Sequence, residues 1–173
     1  MSEITGRTRM FAILADPVSV KAASDAGEGA RVRIHAGGKT DNLHGTPLEC
    51  EVTVVGLYDG KFEEPQPRHG GFTVMDQGPT AVVRTDDGLV LMLSTRRMPP
   101  FSLRQLTTFG VRPEEYQVLV AKGVNAPVAA YREVCPSMIR VNTPGCTTAD
   151  ILSLPYKNRR RPMFPFEPDM EWE

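Results

Sequence analysis

The sequence predicts a mixed protein, α+β or α/β, and three observations carry that prediction. Polar and apolar residues alternate in short runs, among them Arg31 to Ala36 and Glu49 to Val55, which is the two-residue period of a half-buried strand. Helix starts are interspersed, the clearest at Asp16-Pro17, where aspartate caps free amides and proline at the first helical position loses no needed donor. Fifteen prolines and fifteen glycines spread through 173 residues keep elements short and turns frequent, which disfavours a helical bundle. The expected architecture is a mixed sheet, antiparallel in its N-terminal part and followed by a strand-helix-strand C-terminal part.

Residues 1–10 are largely polar and read as a disordered or truncated N-terminus. The apolar run Phe11 to Leu14 is far shorter than a signal-peptide core or a membrane span. The helix opened by Asp16 places Val18, Ala22 and Ala26 near one face and ends at Gly27 and Gly29. A glycine-rich loop, 37–48, then joins the two alternating strands, and Asp59-Gly60 marks the next turn. Glu63 to Gly71 carries prolines, glycines and charges and reads as an exposed connection, the best candidate for a mobile flap, leading into a strand Phe72 to Met75. Asp86-Asp87-Gly88 between Thr80–Arg84 and Leu89–Ser94 is a hairpin signal, and its second strand runs into Thr95-Arg96-Arg97.

From Pro99 the pattern changes. Ser102 to Phe109 reads as a helix capped by Ser102, Gln117 to Ala121 as a buried strand, Pro127 to Val134 as a helix and Met138 to Val141 as a strand. A further helix is expected over Thr148 to Leu154, capped by Thr147 or Thr148. Residues 158–173 are too rich in proline for a regular element and are expected to form an extended arm with its aromatics tucked in, leaving 11–157 as the domain proper.

Twenty basic and twenty-one acidic side chains leave a net charge of -1, so no global field draws the chain to nucleic acid or to an anionic membrane. The run Arg159 to Arg161 beside Met163, Phe164 and Phe166 fits a docking arm better than a nucleic-acid contact. Cys50, Cys135 and Cys146 cannot all pair and show no C-x-x-C spacing, which argues for a reducing, cytoplasmic setting.

Two turn-rich stretches hold the candidate chemistry, Gly37 to Leu48 and Thr143 to Asp150. Both put permissive glycines beside hydroxyls and charges, the means by which a loop presents amides and a side chain to a ligand. In the first, Lys39 and the loop amides could face a carboxylate or carbonyl. The stretch is not a phosphate-binding loop, because position 32 is valine where a glycine is needed and a strand is expected to follow. Asp41 and His44 could share a metal across a turn, yet His35, His44 and His69 are the only histidines and form no H-E-x-x-H or comparable cluster. Short loops with Asp and His more often fix their own backbone. Arg96 and Arg97 leave a strand in opposite directions, so one at most readily faces a shared pocket. Cys146 precedes a helix start that would favour its thiolate, but no base adjoins it in sequence, and a cysteine filling a small gap is the simpler reading.

The segments GGKTDNLHGTPLE, DQGPTAVVR, LSTRRMPPF, VAKGVNAPVAAYREV, NTPGCTTADI and YKNRRRPMFPFE occur in an order that resembles the C-terminal domain of the MlrC family, over nearly everything from Asp16 to Glu167. That resemblance implies a domain of a zinc-dependent metallopeptidase or related hydrolase whose metal ligands and general base lie in a large N-terminal domain. The family's Asp-Asn-Pro-Gly-Gly-Gly segment has no counterpart in Met1 to Met10, and the histidine many members carry after Lys122 is replaced by Gly123-Val124-Asn125-Ala126-Pro127. The resemblance therefore implies no catalytic residue and no metal ligand on this chain, with zinc belonging to the complete family enzyme. The expected partner is an MlrC-like metal-binding domain, upstream in cis or on a separate chain; a homo-oligomer is a further possibility, and neither nucleic acid nor membrane is expected. Lys39, Asp41, His44, Arg96, Arg97, Lys122 and Asn125 are the expected substrate or interface residues. The competing expectation is a non-catalytic binding or assembly module that keeps the interdomain surface, with Phe11, Phe72, Met75 and Met98 exposed where the other domain once packed.

Overall fold

The computed structural model describes residues 9–66, 71–123, 125–143 and 148–171. The chain divides into two compact units, one through Ile139 and one from Arg140. The first holds the strands β1 (Met10–Ala15), β2 (Arg31–Ala36), β3 (Leu48–Tyr58), β4 (Lys61–Glu63), β5 (Val74–Asp76), β6 (Thr80–Arg84), β7 (Leu89–Ser94) and β8 (Val118–Val120), with helices α1 (Pro17–Ala26), α2 (Arg104–Thr107) and α3 (Ala126–Tyr131). Six strands form a mixed sheet in the order β2-β3-β6-β7-β1-β8, and β4 pairs with β5 apart from it. The pairs β2/β3, β3/β6 and β6/β7 are antiparallel, whereas β1 runs parallel to both β7 and β8.

The expected mixed sheet is present, and the parallel strand β1, between β7 and the end strand β8, is the element the sequence hid. β1 is the short run Phe11 to Leu14 extended by one residue at each end, four apolar residues that periodicity cannot assign without knowing their neighbours. Alternation along the strands sends side chains to two faces. Val52, Val54, Ala81, Val83, Leu91 and Leu93 face one side, where Val20 and Ala23 of α1 join them with Ile34 and Ala36 of β2. Phe11, Val82, Val90 and Met92 face the other, against Phe62, Met75, Phe101, Leu106, Phe109, Val111, Ala130 and Tyr131. Each face thus has its own cover, α1 on one, β4–β5, α2 and α3 on the other.

Several expectations are corrected. α1 buries Ser19, Val20 and Ala23, while Val18 is 65% exposed; the apolar stripe sits about one residue further on, and the valine of the first turn is left outward. Of the buried strand expected over 117–121, only Val118–Val120 is a strand, and as the end of the sheet it leaves Val118 and Val120 exposed. Residues 138–141 make no strand, and Ile139 and Val141 are 88% and 73% exposed. Phe11 and Met75, expected at the surface, are core residues, and Met98 packs partly against the same core; Phe72 alone of that set is largely exposed, at 69%. The flap expected over 63–71 begins with Glu63 in β4 and a buried Glu64, and its residues 67–70 lie outside the described ones.

Two local features hold the first unit in shape. Gly60 turns the chain from β3 into β4 with φ +80°, and a Cβ there would stand 1.8 Å from the Gly78 carbonyl oxygen, so only glycine fits. On the edge strand β2, Arg31, Arg33 and His35 point outward and meet Asp86, Glu49 and Glu51, a charged border of the kind that discourages edge-to-edge pairing.

In the second unit a single 3₁₀ turn, Ile151–Ser153, takes the place of the helix expected over 148–154, with the Asp150 amide donating to Thr148 Oγ1 at 3.0 Å. Its arm turns back on itself. Arg159 grips Glu167 with one nitrogen at 2.7 Å and lies 4.4 Å above the Phe166 ring, whose other neighbour is the edge of Tyr156. The Arg159 hydrogen bond, with the Met163 amide, holds the Glu167 carboxyl down at about 2.

Candidate functional site

Asp16 follows β1 and caps α1, and nearly everything at the site is fastened to it. Its amide donates to the Ser94 carbonyl at the end of β7, 2.8 Å away. Its carboxylate is 1% exposed and accepts from the Ser19 amide at 3.0 Å, the Gly37 amide at 2.9 Å and the Lys39 ammonium at 2.7 and 2.6 Å. Ser19 Oγ lies 2.9 Å from the same carboxylate, 3.2 Å from the His35 carbonyl and 3.0 Å from Lys39 Nζ; with one proton it donates to one oxygen while accepting from the lysine. Burial alone would push the Asp16 carboxyl up, but the bonds from Lys39, Ser19 and Gly37 outweigh it and hold the group below the ordinary carboxylate value.

The loop between β2 and β3 is therefore ordered by its own charges. Gly38 has φ +57°, and a Cβ would stand 2.5 Å from the Pro47 nitrogen, so the two arms of the loop touch through it. Asp41 Oδ1 accepts from the Leu43 and His44 amides at 2.8 and 2.9 Å, and Oδ2 is 2.8 Å from His44 Nδ1. Arg97, leaving β7, donates to Thr40 Oγ1 at 3.0 Å and ties the loop to a second element. Arg96 turns the other way, to Asp76 Oδ2 at 2.7 Å. The two side chains diverge, although both lie beyond Ser94, the last residue of β7.

Of the seven expected site residues, Lys39, Asp41, His44 and Arg97 come together on or against this loop, while Arg96 is directed to the β5–β6 turn. Lys122 and Asn125 are exposed beyond the C-terminal end of β8. Because β1, β7 and β8 are parallel, Asp16, Arg97 and Lys122 all follow C-terminal strand ends on one edge of the sheet, where open parallel sheets place their ligands. Sequence reasoning saw Asp16 as a cap and missed its bond to Lys39, along with Ser19 and Thr40. The Asp16-Pro17 signal was there, but the partner lies on a loop that only folding brings back.

The Asp41–His44 pair does not fit a hydrolytic zinc. Such a site takes three protein ligands, whereas here Asp41 is committed to two amides and to His44 itself. Among the described residues no group of three or more His, Cys, Asp or Glu is placed to hold a metal; His69 and Cys146 lie outside the described residues. Cys50 and Cys135 are free thiols, and burial pushes both up, away from nucleophilic character. No helix among the described residues is long and apolar enough to cross a membrane.

Compared with known proteins, the chain superposes on the crystal structure of a protein from Mesorhizobium sp. BNC1 provisionally described as a metallopeptidase, with a TM-score of 0.77 and 27% identity. The match covers 99% of this chain and 33% of that one, so the chain spans about a third of the length of that protein. No curated protein matches. The family described as MlrC C-terminus matches residues 2–158. The chain belongs to the MlrC C-terminus family.

Proposed function

We propose that this chain is the C-terminal, substrate-side part of an MlrC-like zinc metallopeptidase that hydrolyses peptide or amide bonds, and that it is inactive without a metal-binding part supplied upstream or by a separate polypeptide. The observation that carries this reading is the superposition of almost the whole chain on one third of a protein described as a metallopeptidase. Zinc belongs, in this reading, to the part of the enzyme outside this chain. The free thiols of Cys50 and Cys135 are in keeping with a reducing, cytoplasmic setting.

The ordered 37–48 loop supplies the substrate side. Lys39 sets the loop's position through Asp16, Asp41 orients His44, and Arg97 and His44 present donors to a peptide carbonyl or carboxylate. Lys122 and Asn125, at the next strand end, and Arg96, beside Asp76, approach the junction with the missing part. The competing reading, a binding module without catalysis, makes the same surface an interface alone.

Zinc content and hydrolysis of a peptide and amide panel by the 173-residue chain decide between these and an autonomous hydrolase. No stoichiometric zinc and no zinc-dependent turnover are expected from the chain alone, with turnover restored by a metal-binding part. One zinc per chain with turnover overturns the proposal, and a complex that binds substrate but never cleaves it favours the binding module.

A further inference from the structure

We infer that the free edge of β8, with the apolar sheet face beside it, is the docking surface for a helix and a parallel strand contributed by the part of a full-length metallopeptidase that this chain does not span. The inference rests on the reading just given and identifies where the missing part joins.

On the β1 side, the register Met10↔Val118 and Ala12↔Val120 sets these four side chains on one face of the sheet. That face is the one α1 covers, for Ala12 packs with the α1 cluster. The helix, however, packs over β2, β3, β6 and β7, and the cover stops before the end of the sheet. Met10, Val118 and Val120 are left 36%, 40% and 47% exposed, without a charged residue among them. On the opposite face, Phe11 is buried and Leu119 packs against the core, so the lack of cover is one-sided.

Parallel strands are ordinarily covered on both faces, since the connection between two of them is usually a helix laid on the sheet. The parallel neighbours β1 and β8 have, among the described residues, no helix packed extensively over them on the α1 side. Among the described residues, no strand pairs with the outer edge of β8, and that edge has none of the charge that borders β2. An apolar helix face over Met10, Val118 and Val120, followed or preceded by a strand beside β8, meets both needs at once. The occupant's source follows from length: two thirds of the Mesorhizobium protein lies outside the region that superposes on this chain.

The test compares two intact proteins. Val118→Lys with Val120→Lys in the 173-residue chain is expected to shift the melting temperature by less than about 2 °C, because both side chains already meet water. The same pair of lysines at the superposing positions of the full-length Mesorhizobium protein is expected to lower its melting temperature by more than about 5 °C and to speed proteolysis between its parts. A full-length protein that tolerates both lysines overturns the inference. So does a 173-residue chain that is a dimer and becomes a monomer with the lysines, since a second copy then covers the face. Hydrolysis by the unsubstituted Mesorhizobium protein is read separately: its absence, with the temperature shift present, removes the functional reading and leaves the docking surface standing.

Discussion

Asp16 is almost completely enclosed, and a carboxylate in that position depends on Lys39 for its charge balance. Replacing the lysine by Met leaves a buried anion with only two amides and a hydroxyl, and the expected cost is about 2–3 kcal/mol in chemical denaturation. Asp16→Asn combined with Lys39→Met is expected to cost less than the two single changes added together, since the charge that needed compensation is gone. The same group sets a pH limit. Its folded pKa lies below the unfolded value, so its stabilisation is present above the ordinary carboxylate range and is lost as pH falls through about 4 toward the folded value. Urea midpoints measured from pH 6 to pH 3 are expected to fall less steeply in Asp16→Asn than in the natural chain. At this scale the sequence disclosed residue types and turn chemistry. The Asp41–His44 turn was readable because its partners are three residues apart, whereas the Asp16–Lys39 bond spans a helix and a strand and left no local mark.

Elements were legible wherever a period and a punctuation mark coincided. β6 and β7 match their expected bounds because an Asp-Asp-Gly turn separates two runs of period two. β1 escaped because its pairing partners, β7 and β8, are distant in sequence, and β8 was misjudged because three apolar residues look the same at a sheet's end as at its centre. The turn into β4 offers a test at this scale. Gly60→Ala meets both an unfavourable φ and the Gly78 carbonyl, so a loss of about 3 kcal/mol or more is expected. Alanine at Gly27, where φ is +85° and ψ 163° but nothing lies within 4 Å, meets an unfavourable conformation without a close approach and is expected to cost less, about 1–2 kcal/mol. Equal losses at the two positions would show that conformation alone, and not the close approach, governs Gly60.

The sheet of the first unit is closed through β1, the strand whose two neighbours, β7 and β8, come from far along the chain. Bringing them together requires closing long loops before any contact is gained, which slows folding. Refolding on the scale of milliseconds to seconds is expected in stopped-flow fluorescence, and Phe11→Ala, emptying a side chain 1% exposed, is expected to cost about 3–4 kcal/mol. The mixed sheet and the candidate loop were foreseeable as a class, but the strand that joins β7 to β8 was not. The two borders of that sheet are unlike: β2 ends it with arginines, a histidine and their carboxylates, and β8 ends it with valines. A sheet grows into a fibre only if each arriving strand leaves a fresh edge for the next. Among the described strands, growth is open at one border alone and the far border is charged, so strand-by-strand addition at β8 ends with the first arrival that brings a charged border of its own.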